Sequence, residues 1–449
     1  MKKNFYEKFT YWYRKFRVGK SPQMNLVWGF FIYTVLGFCL LSIPLFHKGS
    51  VGLLDNLFIS TSAISTTGLV TVSVFDSYNF FGQFIVMSLF QFGGIGYMTL
   101  TTYYLLFTTN RITRWHTKVI GAEFTLPNTI QTTDFIKSVI VFTLIMEFLG
   151  AIGFFIAFTR QGMDFFQAVW FAVFHSVSAF CTAGFALFND SFEGYQDNTL
   201  INVVVSVLAI AGSLGFIVIT DLWYRLRGKS KEISFTTKIV FYGFVILLAF
   251  GTCLIYGTEP HVWEGNHAMM KSFFQAMTAM TTVGFNTISM NSLSLPTLLL
   301  VVFLMYVGAS PSGTAGGMKI TTLTAMISVL KSRVFGQRKI TFMHRVIPFE
   351  RLYVATSTFM LYTSLIFLFT FLLSMSENFS FDRILFEVAS ALGTVGLSTG
   401  ITADLTPFGK LLIIILMFIG RVGVLTFGFA LLHRKDKEVK KLLVDDLAV

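Results

Sequence analysis

Charge is what this sequence has least of. Of its 449 residues only 13% are Asp, Glu, Lys or Arg, about half the share of a soluble globular protein. With 54% hydrophobic residues, 53 phenylalanines and a mean hydropathy of +0.69, that shortage excludes an ordinary soluble domain. It points to a polytopic membrane protein. Cysteine is scarce too. Cys39, Cys181 and Cys253 lie in apolar stretches without paired spacing, which excludes a disulfide framework or a zinc site. They read as small buried hydrophobes. The first segment, MKKNFYEKFTYWYRKFRVGK, has no short apolar core and no small-residue cleavage site, so it does not read as a signal peptide. Basic and aromatic, it reads as a cytosolic arm on anionic headgroups. No Arg-rich helix is present, which excludes a voltage sensor. No Walker or dinucleotide fingerprint is present, so nucleotide control has to come in trans.

What is there is apolar and long. Eight segments approach the ~20 residues that a bilayer core demands: about 26–46, 80–108, 138–158, 199–224, 239–256, 295–330, 352–374 and 408–432. The five connections 1–20, 109–137, 225–238, 331–351 and 433–449 hold 27 of the 34 Lys and Arg. The remaining linkers are acidic on balance. The positive-inside rule therefore puts the basic set, and both termini, in the cytoplasm. The net charge of +11 is a topology signal, and nucleic acid is excluded because no basic soluble domain exists to bind it. Each outward connection carries a further apolar stretch of about 10–15 residues, too short to span and suited to a re-entrant helix.

Self-similarity organises the chain. Take Gly68, Gly184, Gly284 and Gly396 as origins. Ten residues earlier stand Phe58, Phe174, Phe274 and Phe386; six earlier Ser62, Ser178, Thr278 and Ser390; five earlier Ala63, Ala179, Ala279 and Ala391. Two earlier stand Thr66, Thr182, Thr282 and Thr394; one later Leu69, Phe185, Phe285 and Leu397. The predicted fold is all-α, with four tandem units of helix, re-entrant helix, glycine loop and helix around one axis. The units fall at 26–108, 109–224, 225–330 and 331–432, between an arm, 1–25, and a tail, 433–449. A second glycine signal follows each loop, starting at Gly93, Gly212, Gly308 and Gly420, where helices approach closely or bend.

The four loops read Thr66-Thr67-Gly68-Leu69, Thr182-Ala183-Gly184-Phe185, Thr282-Val283-Gly284-Phe285 and Thr394-Val395-Gly396-Leu397. They hold no reactive side chain. Extended backbone at membrane depth survives only where it is buried or lines water. Glycine allows the positive φ that aims carbonyls inward, and a ring of carbonyls replaces a cation's water shell. Helix C-termini aimed at that ring add partial negative charge. All four units begin and end on the basic side, which favours a channel-like axis over the inverted repeats of a secondary transporter.

With these loops and repeats, residues 26–432 resemble the Trk/Ktr/HKT superfamily of cation transporters, whose fold is four potassium-channel-like repeats in one polypeptide. Eight spanning segments and the chain length resemble the Ktr branch, with its KtrB- or KtrD-like membrane subunits. The resemblance implies potassium uptake at a bacterial cell membrane, with Gly68 at the position where serine goes with sodium selectivity in HKT proteins. It implies a homodimer and a cytosolic ring of nucleotide-binding regulatory subunits, KtrA/KtrC-like. It implies no cofactor in this chain, potassium as substrate and sodium as a candidate activator. The single glycine per loop departs from the channel signature TVGYG and implies fewer binding sites.

The sixth segment is too polar for a continuous helix. YVGASPSGTAGGMKITT, 306–322, holds Gly308, Pro311, Gly313, Gly316 and Gly317, at about 1 kcal/mol per glycine and about 3 for proline. A helix broken by a loop below the carbonyl ring is expected, and the resemblance implies that this loop gates. The gate candidates are Gly308, Ser310, Ser312, Gly313, Thr314, Gly316, Gly317, Lys319 and Arg421. Lys319 either repels cations or snorkels to the surface. Arg421 sits mid-segment at a cost of about 2.5–3.5 kcal/mol, so it pairs inside the protein, as barrier or as brace. Glu147 reads as a bond to a neighbouring helix or as a coupling site, and His175 as a structural hydrogen bond. An intramembrane protease built from Ser310 or Ser312 with His175 leaves the fourfold repeat unexplained, so the chain is not read as an enzyme.

Overall fold

The computed structural model describes residues 21–96, 114–124, 131–228, 232–259 and 267–432, with a few more between 99 and 106. Most of the N-terminal arm and all of the tail from 433 lie outside the described residues.

Four helices are long and apolar enough to cross a membrane: α1 (Pro22–Leu41), α4 (Thr132–Arg160), α8 (Phe235–Thr258) and α12 (Phe349–Ser376). Their starts are set locally. Ser21 accepts from the Met24 N–H ahead of Pro22, and Ser234 caps α8 through the Thr237 N–H. Both use a side-chain oxygen for a helix-start donor that has no partner in the helix. Residues such as Phe31, Leu36, Leu144, Phe148, Phe367 and Phe371 face outward. So broad an apolar belt suits hydrocarbon and would be costly in water. Cys39 and Cys253 lie on this belt while Cys181 is buried. Two of the three cysteines are therefore exposed, because on a membrane helix an apolar side chain is as well accommodated by lipid as by protein.

Each long helix packs on the short helix that follows: α1 on α2 (Leu53–Ile64), α4 on α5 (Phe165–Phe180), α8 on α9 (Ala268–Thr281) and α12 on α13 (Phe381–Gly393). A further helix completes each unit: α3 (Phe80–Ile95), α6 (Thr199–Ser213), α10 (Leu295–Tyr306) and α14 (Pro407–Val422). It packs on the short helix of the next unit, α3 on α5, α6 on α9, α10 on α13 and α14 back on α2. The contacts thus close on themselves.

The second half of the third unit is broken as expected, and those of the other units are interrupted at their glycine pairs as well. α6 turns by 88° into α7 (Phe216–Leu226), and α14 by 97° into α15 (Val424–Leu432). α10 is separated from α11 (Ile320–Val334) by a loop. α3 ends at Gly96, and much of the remainder of 80–108 lies outside the described residues. The glycine pairs divide two tasks. Gly93, Gly212 and Gly420 touch the carbonyls of Ile64, Phe180 and Leu392, leaving no room for a Cβ. Gly96, Gly215 and Gly423, three residues later, have φ of 86°, 89° and 92°, a conformation in which only glycine is at ease.

Candidate functional site

The short helices end in one way. At α2 the Thr66 N–H bonds the Ala63 carbonyl at 2.9 Å and the Thr67 N–H bonds the Ser62 carbonyl at 2.9 Å. The pattern recurs at Thr182 and Ala183, at Thr282 and Val283, and at Thr394 and Val395. This is the Schellman closure, whose left-handed residue is ordinarily glycine. Here it is threonine four times, with φ of 53°, 49°, 54° and 47°. The loops are therefore not extended at their first residue. A β-branched residue in this region costs on the order of 1–3 kcal/mol, and three of the four hydroxyls, those of Thr66, Thr182 and Thr282, are engaged.

Two residues on, the loop glycines are also left-handed, with φ of 88°, 68°, 80° and 94°. They meet in a ring. A Cβ on Gly68 would stand 2.5 Å from the Ala183 carbonyl oxygen and 3.1 Å from the Gly184 Cα. One on Gly184 would meet the Val283 oxygen and Gly284, one on Gly284 would meet Val395 and Gly396, and one on Gly396 would meet Thr67 and Gly68. Loop one faces loop two, two faces three, three faces four, and four faces one.

Under this ring lies the loop from Ala309 to Gly317. Its ends are held by two short parallel strands, β1 (Val307–Gly308) and β2 (Met318–Lys319). The bend between α6 and α7 supports it: the Ser310 and Thr314 N–H groups bond the Ser213 and Gly212 carbonyls, and the Ser312 carbonyl and hydroxyl accept from the Phe216 and Ile217 N–H groups. The loop then reaches the four threonines. Thr314 Oγ1 lies 3.1 Å from Thr182 Oγ1, and the Gly316 N–H donates to Thr282 Oγ1 at 2.9 Å. Gly316 also abuts the Gly393 carbonyl and the Thr394 hydroxyl. Thr66 is reached through Arg421, which donates to Thr66 Oγ1 at 3.1 Å, to the Thr314 carbonyl at 2.6 Å and to the Gly93 and Gly94 carbonyls.

Lys319 neither stands free nor reaches for a surface. Its ammonium folds back onto the Ala315 and Gly316 carbonyls at 2.6 and 2.8 Å. Both cations of the site are thus bound to the loop beneath the ring. A cavity of about 580 Å³ opens beyond it, lined in part by Gly313, Gly317, Lys319 and Arg421.

Other sequence candidates are placed elsewhere. Glu147 accepts from Gln91 Nε2 at 3.0 Å, a bond from α4 to α3. Both nitrogens of His175 are occupied, one by the Phe171 carbonyl at 2.7 Å and one by the Leu187 N–H at 3.1 Å. Ser310 Oγ donates to the Pro311 carbonyl, so neither serine of the loop meets His175 as a nucleophile would meet its base.

Sequence reading registered the hydroxyl row Ser62, Ser178, Thr278 and Ser390 without its task. Ser62 and Ser390 accept from the Gly68 and Gly396 N–H groups at 3.1 Å. Ser178 and Thr278 donate to the Phe185 and Phe285 carbonyls at 2.9 and 2.6 Å. Invariance of residue type at one offset was the available signal.

Known proteins resemble this chain in sequence and in fold. The family model TrkH, described as a cation transport protein, matches residues 31–441. The potassium/sodium uptake protein NtpJ of Enterococcus hirae is 32% identical, over 94% of this chain and 96% of its own. The Ktr system potassium uptake protein D of Bacillus subtilis is 33% identical, over 93% and 94%, and protein B of that system is 30% identical, over 94% and 95%. The crystal structure of the potassium transporter TrkH from Vibrio parahaemolyticus matches with a TM-score of 0.74 and 20% identity, over 92% of this chain and 85% of that one.

Proposed function

This chain belongs to the TrkH family of cation transport proteins, and from that premise we propose that it conducts potassium through a filter made of the four glycine loops. The observation that carries the proposal is the closed ring from Gly68 through Gly184 and Gly284 to Gly396. A strand alternates its carbonyls between two sides. Left-handed residues at alternate positions turn successive carbonyls to one side, so the loops offer an arriving cation oxygens in place of water. Four potassium-channel-like repeats around one pore, with the boundaries given by the repeat register, follow from the same reading.

The loop 309–317 is the gate, and Arg421 and Lys319 hold it shut. With the loop in place, its backbone and the Arg421 guanidinium occupy the space under the ring, and a positive charge there opposes a cation. Opening requires the loop to leave Thr182, Thr282 and Arg421 while its strands Val307–Gly308 and Met318–Lys319 act as the hinge. Relatives named as parts of a Ktr system support a partner subunit, which in this reading is cytosolic, binds nucleotide and supplies the opening force; the chain acts as a homodimer in a bacterial cell membrane, and the basic connections support cytoplasmic termini.

The test is cation flux into liposomes that hold the purified chain. Potassium flux in excess of sodium, reduced in preference by Gly68→Ser, is expected. Equal flux of both ions in the unaltered chain would overturn the reading.

A further inference from the structure

Behind the glycine loops runs a second row of side chains, nine residues before each loop glycine: Ile59, His175, Gln275 and Glu387. All four are fully buried on the short helices. Their chemistry differs at every position, so the row is invisible as a sequence repeat. Three of them do the same thing. His175 Nε2 accepts from the Leu187 N–H at 3.1 Å, three residues past Gly184. Gln275, with its amide oxygen toward the loop, accepts from the Thr287 and Ile288 N–H groups at 3.3 and 3.1 Å and from the Thr287 hydroxyl at 3.1 Å. Thr287 is three residues past Gly284. Glu387 accepts from Ser398 Oγ at 2.9 Å and from the Thr402 hydroxyl, two and six residues past Gly396.

In the first unit the acceptor is missing. Ile59 stands at the place of Gln275, and Thr71, three residues past Gly68, has a buried hydroxyl with no partner among the described residues. Thr399, at the same offset from Gly396, likewise has a buried hydroxyl with no partner among the described residues, but there Glu387 holds Ser398 and Thr402 on either side of it; the first loop alone has no acceptor behind it, and so it gives way more easily than its three counterparts.

We propose that His175, Gln275 and Glu387 are positioning residues that hold the outer half of three glycine loops in register, and that the first loop, backed by Ile59, is the yielding quarter of the ring. The proposal rests on the reading of these loops as a selectivity filter. None of these side chains needs to touch the ion. Each accepts hydrogen bonds from the segment that follows the glycine and so fixes where the carbonyls before it sit. An ion of the wrong size is rejected to the extent that the ring does not relax around it. The unbraced loop then sets how far the whole ring adapts.

The experiment compares potassium and sodium flux in liposomes for four variants, with the amount of folded protein measured by size exclusion. Gln275→Leu keeps the size and removes the acceptor of three bonds; its potassium preference should fall at least roughly tenfold, the scale of a single lost buried hydrogen bond. Gln275→Glu keeps an acceptor and should retain most of the preference. Ile59→Gln supplies the missing partner to Thr71 and should sharpen the preference above that of the unaltered chain. A purely structural role would change the amount of flux and leave the ratio alone. An unchanged ratio in Gln275→Leu overturns the proposal, as does an unchanged ratio in Ile59→Gln should the first variant not reach the membrane. Gly284→Ser is the reference: if it leaves the ratio unchanged, the filter reading itself has failed, whereas a lowered ratio there with unmoved Gln275 and Ile59 variants rejects the braces alone.

Discussion

Arg421 and Thr314, 107 residues apart in the chain, are joined by a 2.6 Å bond from guanidinium to carbonyl. One end of that bond is the last broken helix and the other is the loop that fills the space below the glycine ring. A hydrogen bond to a charged group contributes about 1.5–3 kcal/mol, and Arg421 makes several. Arg421→Gln should therefore move the loop's closed-to-open ratio by at least about tenfold toward open. Potassium flux in the absence of any partner protein measures it, and flux equal to that of the unaltered chain would mean that Arg421 does not hold the gate.

Gly316 offers a steric counterpart that leaves every charge in place. A methyl group there would collide with the Gly393 carbonyl and the Thr394 hydroxyl. Gly316→Ala should thus raise partner-independent flux, while Gly49→Ala, at a glycine with open space around it and no left-handed backbone, should not. Flux measured on the two variants side by side separates loop seating from a general effect of the substitution.

The four left-handed threonines divide by what their hydroxyls do. Thr66 accepts from Arg421, whereas the Thr394 hydroxyl has no partner among the described residues. Replacement by the near-isosteric valine should cost Thr66→Val about 1.5–3 kcal/mol of stability. Thr394→Val loses no bond and should be neutral or stabilising. Thermal unfolding in detergent reads the difference; equal shifts would show that the hydroxyls play no part in fixing the loop.

On the outer rim Glu193 accepts from Asn286 at 2.7 Å and so links the second and third units. Burial, and next the charge of Asp190, raise its pKa above the usual carboxylate value, with the Asn286 bond acting the other way. A raised pKa in the folded state means that protonated Glu193 favours the fold. Its contribution is complete below the ordinary carboxylate pKa and fades as pH rises through the raised value. Glu193→Gln, neutral at every pH, should be the more stable form at neutral pH and equal to the unaltered chain in acid. Unfolding curves at the two pH values decide this, and equal stability at neutral pH would contradict it.

Much of this site was legible in the residues because the chain repeats itself. The glycines, the threonines two before them and the hydroxyls six before them recur in type, and the polar stretch 306–322 stands out in apolar surroundings. Three features were not legible, for physical reasons. The left-handed turn at Thr66 and its counterparts contradicts the preference of a β-branched residue, so extended backbone was the natural expectation. The glycine pairs marked where helices approach closely or bend, but a membrane helix tolerates glycine equally well unbent, so the sharpness of the turns at Gly215 and Gly423 was not readable. The row from Ile59 to Glu387 carries four different side chains, and only the packing of each short helix behind its loop gives His175, Gln275 and Glu387 a common task.

The proposed filter requires the four glycine loops to act as one. Potassium-to-sodium flux ratios for Gly68→Ser, Gly184→Ser, Gly284→Ser and Gly396→Ser, measured separately in liposomes at matched amounts of folded protein, test that directly. A Cβ at each position meets the next loop in the ring, so every one of the four should lower the ratio. A ratio that moves for none of them, or for one loop alone, would contradict a shared ring.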